Sequence, residues 1–267
     1  MRYRTYPPSE PLSKYVKLYW TLEECGSAPA SRERIFPDGC MELIFHYGDL
    51  FRRYTDTNSI IQPRSFLHGQ LIRYMEIEST GTIGIFGVRF FPHGLRAFSN
   101  IDAHELTGNA VGIVDLWGPD GLLLQQQIIA APFTECRIRI IETFLLGMLR
   151  QHPESAVGFC VSSIVNSCGL KSIQALSQEI NLSRRHLERS FIAAVGLSPK
   201  MFARIVRFQH ALIRVERDQE SSLTGIAYSS GFYDQSHFIK DFKEFSGLNP
   251  RLYFKADIEF AKYFTFE

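Results

Sequence analysis

Residues 1–110 place hydrophobic and polar side chains in short runs that alternate with a period of two. Tyr15–Glu23 alternates around Val16, Leu18 and Trp20, which is the pattern of a half-buried β-strand. Two further runs, 41–47 and 82–91, are rich in β-branched and aromatic residues and lie next to Pro-Asp-Gly and Pro-His-Gly turn signals. Short strands separated by turns predict a β-rich barrel or sandwich.

From about Asp120 the hydrophobic period becomes three to four residues, which indicates helices. The first helical segment begins with Leu122, Leu123, Ile128 and Ile129. A second helix, predicted over 134–152, carries an apolar stripe that belongs either to the core or to a dimerisation surface: Ile138, Ile141, Leu145 and Met148. Pro153 ends this helix because proline disfavours helical geometry in the residue before it. We therefore predict two domains, 1–152 and 153–267.

Two stretches near the C-terminus repeat one pattern at a distance of 51 positions. The repeated pairs are His186/His237, Phe191/Phe242, Gly196/Gly247, Leu197/Leu248 and Pro199/Pro250. Each stretch contains a short apolar helix, a turn and a second helix that ends at the glycine, which suits a left-handed C-cap. This order predicts two helix-turn-helix units, at about 172–196 and 222–247. The predicted fold class is α+β: a β-rich N-terminal barrel or sandwich with helices, followed by an all-α domain.

Polar residues mark where the helices of this duplicated region begin. Ser183 is the predicted N-cap of the second helix in the first unit, and Asp234 takes its place in the second unit. Asn181 stands in the first turn, where its side chain tolerates the left-handed backbone that a tight turn needs. Ser198 and Pro199 begin a long helix that would pack both units together.

The distribution of charge favours nucleic acid as a partner of the duplicated region. The chain has 267 residues and a formal net charge of only +1. Residues 1–159 contain 15 Lys and Arg against 17 Asp and Glu, whereas residues 171–255 contain 13 against 8. A basic excess over the duplicated region is what contact with DNA requires. An ordinary fluctuation in charge is the alternative.

The five cysteines and the N-terminus argue against several other classes of protein. The cysteines form no CxxC pair and no Cys/His cluster at zinc-binding spacing. No apolar signal segment stands at the N-terminus, and the longest apolar runs are too short to span a membrane. We expect a cytoplasmic protein that is not an enzyme, holds no metal or cofactor and does not contact a membrane.

Residues 171–252 resemble the DNA-binding domain of the AraC/XylS family of bacterial transcription regulators. The strongest likeness is over 226–250, and the first unit departs from the family pattern at Ser177, where Ala is usual. The resemblance implies that the chain binds double-stranded DNA and regulates transcription, with RNA polymerase as a further partner. It also implies that the N-terminal half senses a small molecule, forms a homodimer, or does both.

The second helix of each unit carries the candidate DNA contacts on its outward face. Arginine suits guanine, glutamate suits cytosine, and glutamine suits adenine in the major groove. The candidate base contacts are Arg185, Glu188, Arg189, Gln235, Ser236, Ile239 and Lys240. The candidate phosphate contacts, near helix N-termini, are Ser183, Arg184, His186, Lys200, His237 and Arg251.

The alternative for these residues is a solvated helix face on which Arg184 and Arg185 form ion pairs with Glu188. The duplicated context favours DNA. Two recognition helices on one domain would enter successive major grooves about 34 Å apart. The sequence therefore predicts an asymmetric DNA site of about two helical turns.

Residues 3–110 resemble regulatory domains of uncharacterised relatives, chiefly at 36–39 with Glu42 and at 87–94. The candidate effector pocket consists of Phe36, Asp38, Glu42, Arg89, Phe91 and His93. The alternative is structural, because Pro-Asp-Gly is an ordinary turn and Arg89 would pair with Glu42.

Two other functions compete with a ligand-responsive regulator. A DNA-binding module fused to a repair-like enzyme would need a metal-held or activated cysteine, and the cysteine spacing offers neither. A protein-interaction domain would use the basic helices on an acidic partner. Residues 253–267 contain six aromatic side chains, which we expect to dock on one of the domains or in a dimer interface.

Overall fold

The computed structural model describes residues 1–24, 32–150, 156–217 and 223–253. The strands are β1 (Arg2–Tyr6), β2 (Val16–Glu24), β3 (Arg32–Ile35), β4 (Glu42–His46), β5 (Phe51–Tyr54), β6 (Ser59–Ile61), β7 (Ser65–His68), β8 (Met75–Ser79), β9 (Ile83–Phe90) and β10 (Ala110–Gly112). The helices are α1 (Ile113–Ala130), α2 (Thr134–Met148), α3 (Ala156–Asn166), α4 (Ile173–Glu179), α5 (Arg184–Val195), α6 (Pro199–Arg217), α7 (Leu223–Ser229), α8 (Gln235–Ser246) and α9 (Pro250–Tyr253). Within the described ranges, no helix is long and apolar enough to cross a membrane.

The strands form two antiparallel sheets that pack against each other. One sheet has the order β1-β2-β9-β4-β7-β10, and the other has the order β3-β8-β5-β6. Side chains from both sheets, such as Trp20 and Ile44 on one and Phe51 and Ile77 on the other, form a shared cluster. The predicted α+β class, with a β-rich N-terminal half followed by helices, is confirmed.

Strand β2 contains an irregularity that its alternating sequence does not reveal. Its pairing with β9 shifts register between Val16 and Leu18. A bulge adds one residue and reverses the faces on which later residues lie. Val16 is therefore buried behind the six-stranded sheet, whereas Leu18 and Trp20 face the other sheet.

Helices α1 and α2 contribute to the core behind the six-stranded sheet. Helix α1 begins at Ile113, earlier than its hydrophobic period predicts, and it is interrupted at Gly118 (φ 56°), just before Pro119. On α2, Ile141 and Leu145 are fully buried in this core. The apolar stripe of α2 thus belongs to the core, which is one of the two alternatives that the sequence left open.

Helices α3 to α9 share a separate hydrophobic core. Each recognition helix, α5 or α8, ends at a glycine in the left-handed conformation, Gly196 (φ 85°) or Gly247 (φ 70°). The long helix α6 packs against both units through fully buried aromatic rings such as Phe202 and Phe208. The two predicted helix-turn-helix units and their connecting helix are therefore present. The domain boundary predicted at 152–153 lies outside the described residues.

The loop after β3 inserts a side chain into the helical core. Phe36 is 2% exposed, and its ring centroid lies 5.9 Å from that of Phe208 and 5.9 Å from that of Tyr253. The next residue, Pro37, accepts a hydrogen bond at its carbonyl oxygen from Nε2 of Gln209 (2.7 Å). Tyr253 is thus one tail aromatic that docks on the described structure, and residues 254–267 lie outside it.

The N-terminal half also contacts the C-terminal ends of both recognition helices. At α5, Oγ1 of Thr107 donates to the carbonyl oxygen of Gly196 (2.7 Å). At α8, Nη1 of Arg34 donates to the carbonyl oxygen of Ser246 (3.2 Å). The ring of Tyr74 lies against the glycine that ends α8, so closely that a Cβ there would be 2.3 Å from it. Both recognition helices are therefore anchored to the β-rich half.

We expect Phe36→Ala to lower the free energy of unfolding by about 3–5 kcal/mol, the usual cost of removing a buried aromatic ring. Phe36 belongs to the β-rich half but packs in the helical core. In the Phe36→Ala variant the helices of that core should therefore unfold at a lower denaturant concentration than the sheets. Urea titration followed by circular dichroism and by tryptophan fluorescence measures both effects. The control is Phe133→Ala, at a side chain that is 66% exposed. Equal effects of the two substitutions would contradict the role given to Phe36.

Candidate nucleic-acid interface and ligand cavity

The N-terminal turn and outward face of α5 present basic side chains to solvent. Arg184, Arg185, His186 and Arg189 are all exposed. The hydroxyl of the N-cap residue Ser183 accepts a hydrogen bond from the backbone N–H of His186 (3.3 Å). Its own proton therefore stays available for a phosphate oxygen. Three of the candidate contacts of α5 are therefore exposed arginines, Arg184, Arg185 and Arg189.

One ion pair lies on this surface in the free protein. Nε of Arg184 is 3.2 Å from Oε1 of Glu188, and their side chains are 69% and 42% exposed. An exposed pair of this kind contributes only about 0.3–0.5 kcal/mol. The solvated ion pair that the sequence offered as an alternative is therefore present, but it is weak enough to be exchanged for contacts with DNA.

The outward face of α8 is less basic than that of α5. Ser236 and Lys240 are exposed. Gln235 is half-buried and accepts a hydrogen bond at Oε1 from Oγ1 of Thr224 (3.2 Å). The sequence predicted that Ile239 is exposed. It is only partly exposed, because part of its side chain packs against the helical core.

A buried carboxylate fixes α8 to the long helix α6. Asp241 is only 2% exposed at its side chain and accepts from Nη2 of Arg204 at 2.8 Å. The same guanidinium bonds Glu244 at 2.6 Å, and these carboxylates raise the pKa of Arg204. His237 lies over the same network, with Nε2 3.7 Å from Oδ2 of Asp241 and its ring edge against Phe232. The position of His237 is thus set by packing as well as by its place near the helix start.

The remaining phosphate candidates lie at the starts of α6 and α9. Lys200 is exposed in the first turn of α6, where Oγ of Ser198 accepts from the backbone N–H of Met201 (3.1 Å). Arg251 is exposed on the short helix α9. Backbone N–H groups and the helix dipole favour anions at such starts, and a nearby cation adds to that attraction.

A cavity lies between the two sheets of the β-rich half. All the space between its lining atoms, with the open mouth and adjoining solvent, is about 630 Å³, and the part that admits the centre of a water-sized sphere is about 60 Å³. Most of its wall is apolar, with Trp20, Ile44, Phe66, Met75 and Ile77 among the lining side chains. The polar groups in the wall include Asp38, Glu42, His46, Gln62 and His68. Apolar walls with a few polar groups are typical of small-molecule sites.

The period-two pattern of the strands decides which side chains face this cavity. On β4, Glu42, Ile44 and His46 line it, whereas Leu43 and Phe45 face the core formed with α1 and α2. Successive side chains of a strand point to opposite faces. Sequence reasoning missed Trp20, His46 and His68 as cavity residues, although this alternation was the signal that could have found them.

Gly87 makes room for the indole of Trp20. The two residues are direct partners on β9 and β2. A Cβ at position 87 would lie 2.1 Å from the indole ring, which no side chain could tolerate. The absence of a side chain at Gly87 therefore lets Trp20 lie flat across the sheet and form part of the cavity wall.

Arg89 lies behind the cavity wall and joins its two carboxylates. Nε of Arg89 is 2.7 Å from Oε1 of Glu42, and Nη2 is 3.3 Å from Oδ2 of Asp38. Burial raises the pKa of the Glu42 carboxyl, and the charge of Arg89 opposes that rise. Burial also raises the pKa of the Cys40 thiol to about 12, so this cysteine is not a reactive thiolate. The structural ion pair and the polar cavity wall thus share the same residues.

The other predicted pocket residues lie elsewhere. Phe36 points into the helical core instead of the cavity. His93 lies against α3, with Nε2 3.1 Å from where a Cβ of Gly158 would stand. Phe91 is half-buried and does not line the cavity. These positions follow from the loops that flank β4 and β9, which carry side chains away from the sheet faces.

Burial keeps the two cavity histidines neutral. It lowers the pKa of His46 and of His68 to about 4 in each case, since a charged imidazolium is costly away from water. Nδ1 of His68 lies 2.7 Å from the carbonyl oxygen of Gly69, so this nitrogen carries the ring proton. Among the residues described, no group of three or more His, Cys, Asp or Glu side chains is arranged to hold a metal ion.

Two family models match the chain. Residues 4–112 match a domain of unknown function (DUF6597), and residues 176–256 match a helix-turn-helix domain. The HTH-type transcriptional regulator MtrA of Neisseria gonorrhoeae is 30% identical over 112 residues, or 42% of this chain and 37% of that protein. The HTH-type transcriptional activator RhaS of Escherichia fergusonii is 35% identical over 83 residues, or 30% of this chain and 28% of that protein.

These matches therefore span well under half the length of either relative. Among solved structures, ToxT from Vibrio cholerae aligns with a TM-score of 0.49 and 12% identity, covering 96% of this chain and 98% of that chain.

We expect the protein to lose stability as the pH falls from about 6.5 towards about 4. Unfolded histidines take up a proton near pH 6.5, whereas His46 and His68 in the folded state resist protonation until about pH 4. Each of the two histidines would contribute up to ~3 kcal/mol to the free energy of unfolding. This contribution is fully present above the pKa of the unfolded histidine and is lost as the pH falls towards the pKa of the folded one. Urea denaturation at several pH values measures the slope.

His68→Gln should flatten the acid limb of this profile, because glutamine does not titrate and its amide can still donate to Gly69. The matched control is His104→Gln, at an exposed histidine of the same half. An unchanged slope in His68→Gln would show that His68 already titrates normally in the folded protein.

Proposed function

We propose, from the premise that residues 176–256 are a helix-turn-helix domain of the AraC type, that this protein is a DNA-binding transcription regulator controlled through its N-terminal half. One observation carries the proposal. Two recognition helices share one core and one capping pattern, yet they present different side chains to solvent. A duplicated scaffold with two different outward faces suits an asymmetric double-stranded DNA site better than a palindrome.

In this proposal, α5 carries most of the base recognition. Arg185 and Arg189 would donate to guanine, and Glu188 would accept from cytosine. On α8, Gln235, Ser236, Ile239 and Lys240 would read the second major groove with fewer charges. Ile239 would offer only the exposed part of its side chain, in contact with a thymine methyl group.

The phosphate contacts would hold both recognition helices in register along the duplex. We assign this role to six side chains at or near helix starts: Ser183, Arg184, His186, Lys200, His237 and Arg251. Such contacts supply affinity that depends on salt and carry no sequence information.

Control by a small molecule would use the cavity, because its wall and the domain interface share two strands. Ile35 of β3 pairs with Met75 of β8, and both line the cavity. Their neighbours Arg34 and Tyr74 contact the end of α8. Since alternate residues of a strand face opposite sides, a ligand that displaces Ile35 or Met75 would move the contacts that anchor α8. The result would be a changed spacing between the two recognition helices.

We propose binding without catalysis. Supporting this, burial raises the pKa of the thiols of Cys40 and Cys160, which opposes the thiolate that a repair-type acceptor cysteine needs. Homodimerisation and contact with RNA polymerase stay predictions.

Arg185→Ala and Arg189→Ala should each weaken binding to the preferred DNA sequence by about 1–3 kcal/mol and relax base preference at one position. The reason is the loss of a bidentate contact with a base. Selection of sites from a random DNA pool, followed by gel-shift titration, measures affinity and preference together. Arg96→Ala, at an exposed arginine of the β-rich half, is the control and should leave both unchanged.

Lys200→Ala should weaken binding to all DNA sequences alike and reduce the slope of log affinity against log salt by about one contacted phosphate. Gel shifts at several salt concentrations, on preferred and scrambled duplexes, measure this. If Lys200→Ala, Arg185→Ala and Arg189→Ala behaved identically, the division between phosphate and base contacts would be wrong. A salt slope below one phosphate in the unsubstituted protein would overturn DNA binding itself.

A further inference from the structure

We infer that the cavity of the β-rich half binds a small, mostly apolar molecule that carries a protonated amine. The inference rests on the proposed function, because it takes the cavity to be the effector site. It goes further by assigning the chemical class of the ligand. Three observations lead to it: the sign of the charged groups in the wall, an unpartnered acceptor on His68, and the apolar remainder of the lining.

Both charged side chains in the cavity wall are acidic. Asp38 and Glu42 line the cavity, whereas the guanidinium of Arg89 is only 3% exposed and lies behind them. The two carboxylates keep 12% and 16% exposure. Arg89 pairs with both carboxylates, and the backbone N–H of Cys40 also donates to Oδ1 of Asp38 (3.0 Å). Among the described residues that line the cavity, the charged ones are Asp38 and Glu42, so its lining is acidic. A cation in the cavity would relieve the repulsion between the carboxylates, and an anion would increase it.

A third acceptor lies beside the same cavity, on His68, which is the register partner of Glu42 across β4 and β7. His68 lines it, is 7% exposed and has no hydrogen-bond partner at Nε2 among the described residues. Its Nδ1 donates to Gly69, so Nε2 must present a lone pair. A buried acceptor without a donor is destabilising, and a ligand N–H would offset that cost. An ammonium group offers three N–H donors and so matches Asp38, Glu42 and His68.

The rest of the wall fits the apolar body of such a ligand. Trp20, Phe51 and Phe66 contribute aromatic rings, and Ile44, Met75 and Ile77 contribute aliphatic surface. Aromatic faces attract organic cations as well as apolar groups. A sugar would leave many hydroxyl groups against these walls without partners, and a fatty or aromatic acid would place its carboxylate beside Asp38 and Glu42. An aryl- or alkylamine satisfies both parts of the cavity.

Tryptophan fluorescence of the full chain can test this directly. Trp20 lines the cavity, and Trp117 is the other tryptophan of the sequence. Trp117→Phe therefore leaves a single reporter in the cavity wall. The probes are 2-phenylethylamine, 2-phenylethanol and phenylacetate, which share a phenyl group and differ in the charge of the polar end.

We expect 2-phenylethylamine to quench the fluorescence of Trp20 in a saturable way. The affinity for 2-phenylethanol should be roughly tenfold lower or weaker still, and phenylacetate should not reach saturation. In the same background, Asp38→Asn should reduce the preference for amine over alcohol to near one, since the side chain keeps its shape and loses its charge. Glu42→Gln gives a second measurement of the same effect. The control is Asp56→Asn, at an acid whose side chain is 77% exposed, and it should keep the full preference.

Equal or tighter binding of phenylacetate would overturn the assignment, as would an amine preference that survives both Asp38→Asn and Glu42→Gln. Absence of saturation by 2-phenylethylamine and by the longer 4-phenylbutylamine would overturn it as well. Gel shifts on the same preparations separate this result from the proposed function. If the amine does not bind but DNA binding is intact, only the assignment of the ligand is wrong. If the amine binds but specific DNA binding is absent, only the proposed function as a DNA-binding regulator is wrong.

Discussion

The insertion of Phe36 into the helical core is the constraint on which the arrangement of the two halves depends. Its ring packs in the helical core between Phe208 of α6 and Tyr253 of α9. The hydrogen bond from Gln209 to the carbonyl oxygen of Pro37 fixes the loop that carries the ring. Because an aromatic ring in a close-packed core has one well-defined position, the sheets and the recognition helices are held as one unit.

The strands of the β-rich half serve two surfaces at once. The same alternation that buries Leu43 and Phe45 behind the six-stranded sheet turns Glu42 and His46 towards the cavity. At the interface, Ile35 faces the cavity while Arg34 reaches the end of α8. A displacement of Ile35 or Met75 is therefore one residue away from a contact with α8.

The duplicated units have kept their scaffold and changed their surfaces. Both recognition helices begin at a side-chain cap and end at a left-handed glycine, and both bury aromatic rings against α6. The differences lie outside these positions. Helix α5 presents arginines, whereas α8 presents a more neutral face and is tied to α6 by Arg204 and the buried Asp241. Substitutions on an exposed face cost little stability, so recognition could diverge while packing stayed the same.

Local patterns in the sequence determined the helix-turn-helix units, their caps at Ser183 and Asp234, the connecting helix and the β-rich character of the first half. These features follow from short-range periodicity and from backbone preferences of single residues. Only the tertiary structure decided that Phe36 packs in the helical core and that a bulge divides β2. It also decided that His68, with an unpartnered buried nitrogen, pairs in register with Glu42 beside the cavity. Each of these depends on which distant segments meet, and pairing between distant segments leaves no periodic trace in a single chain.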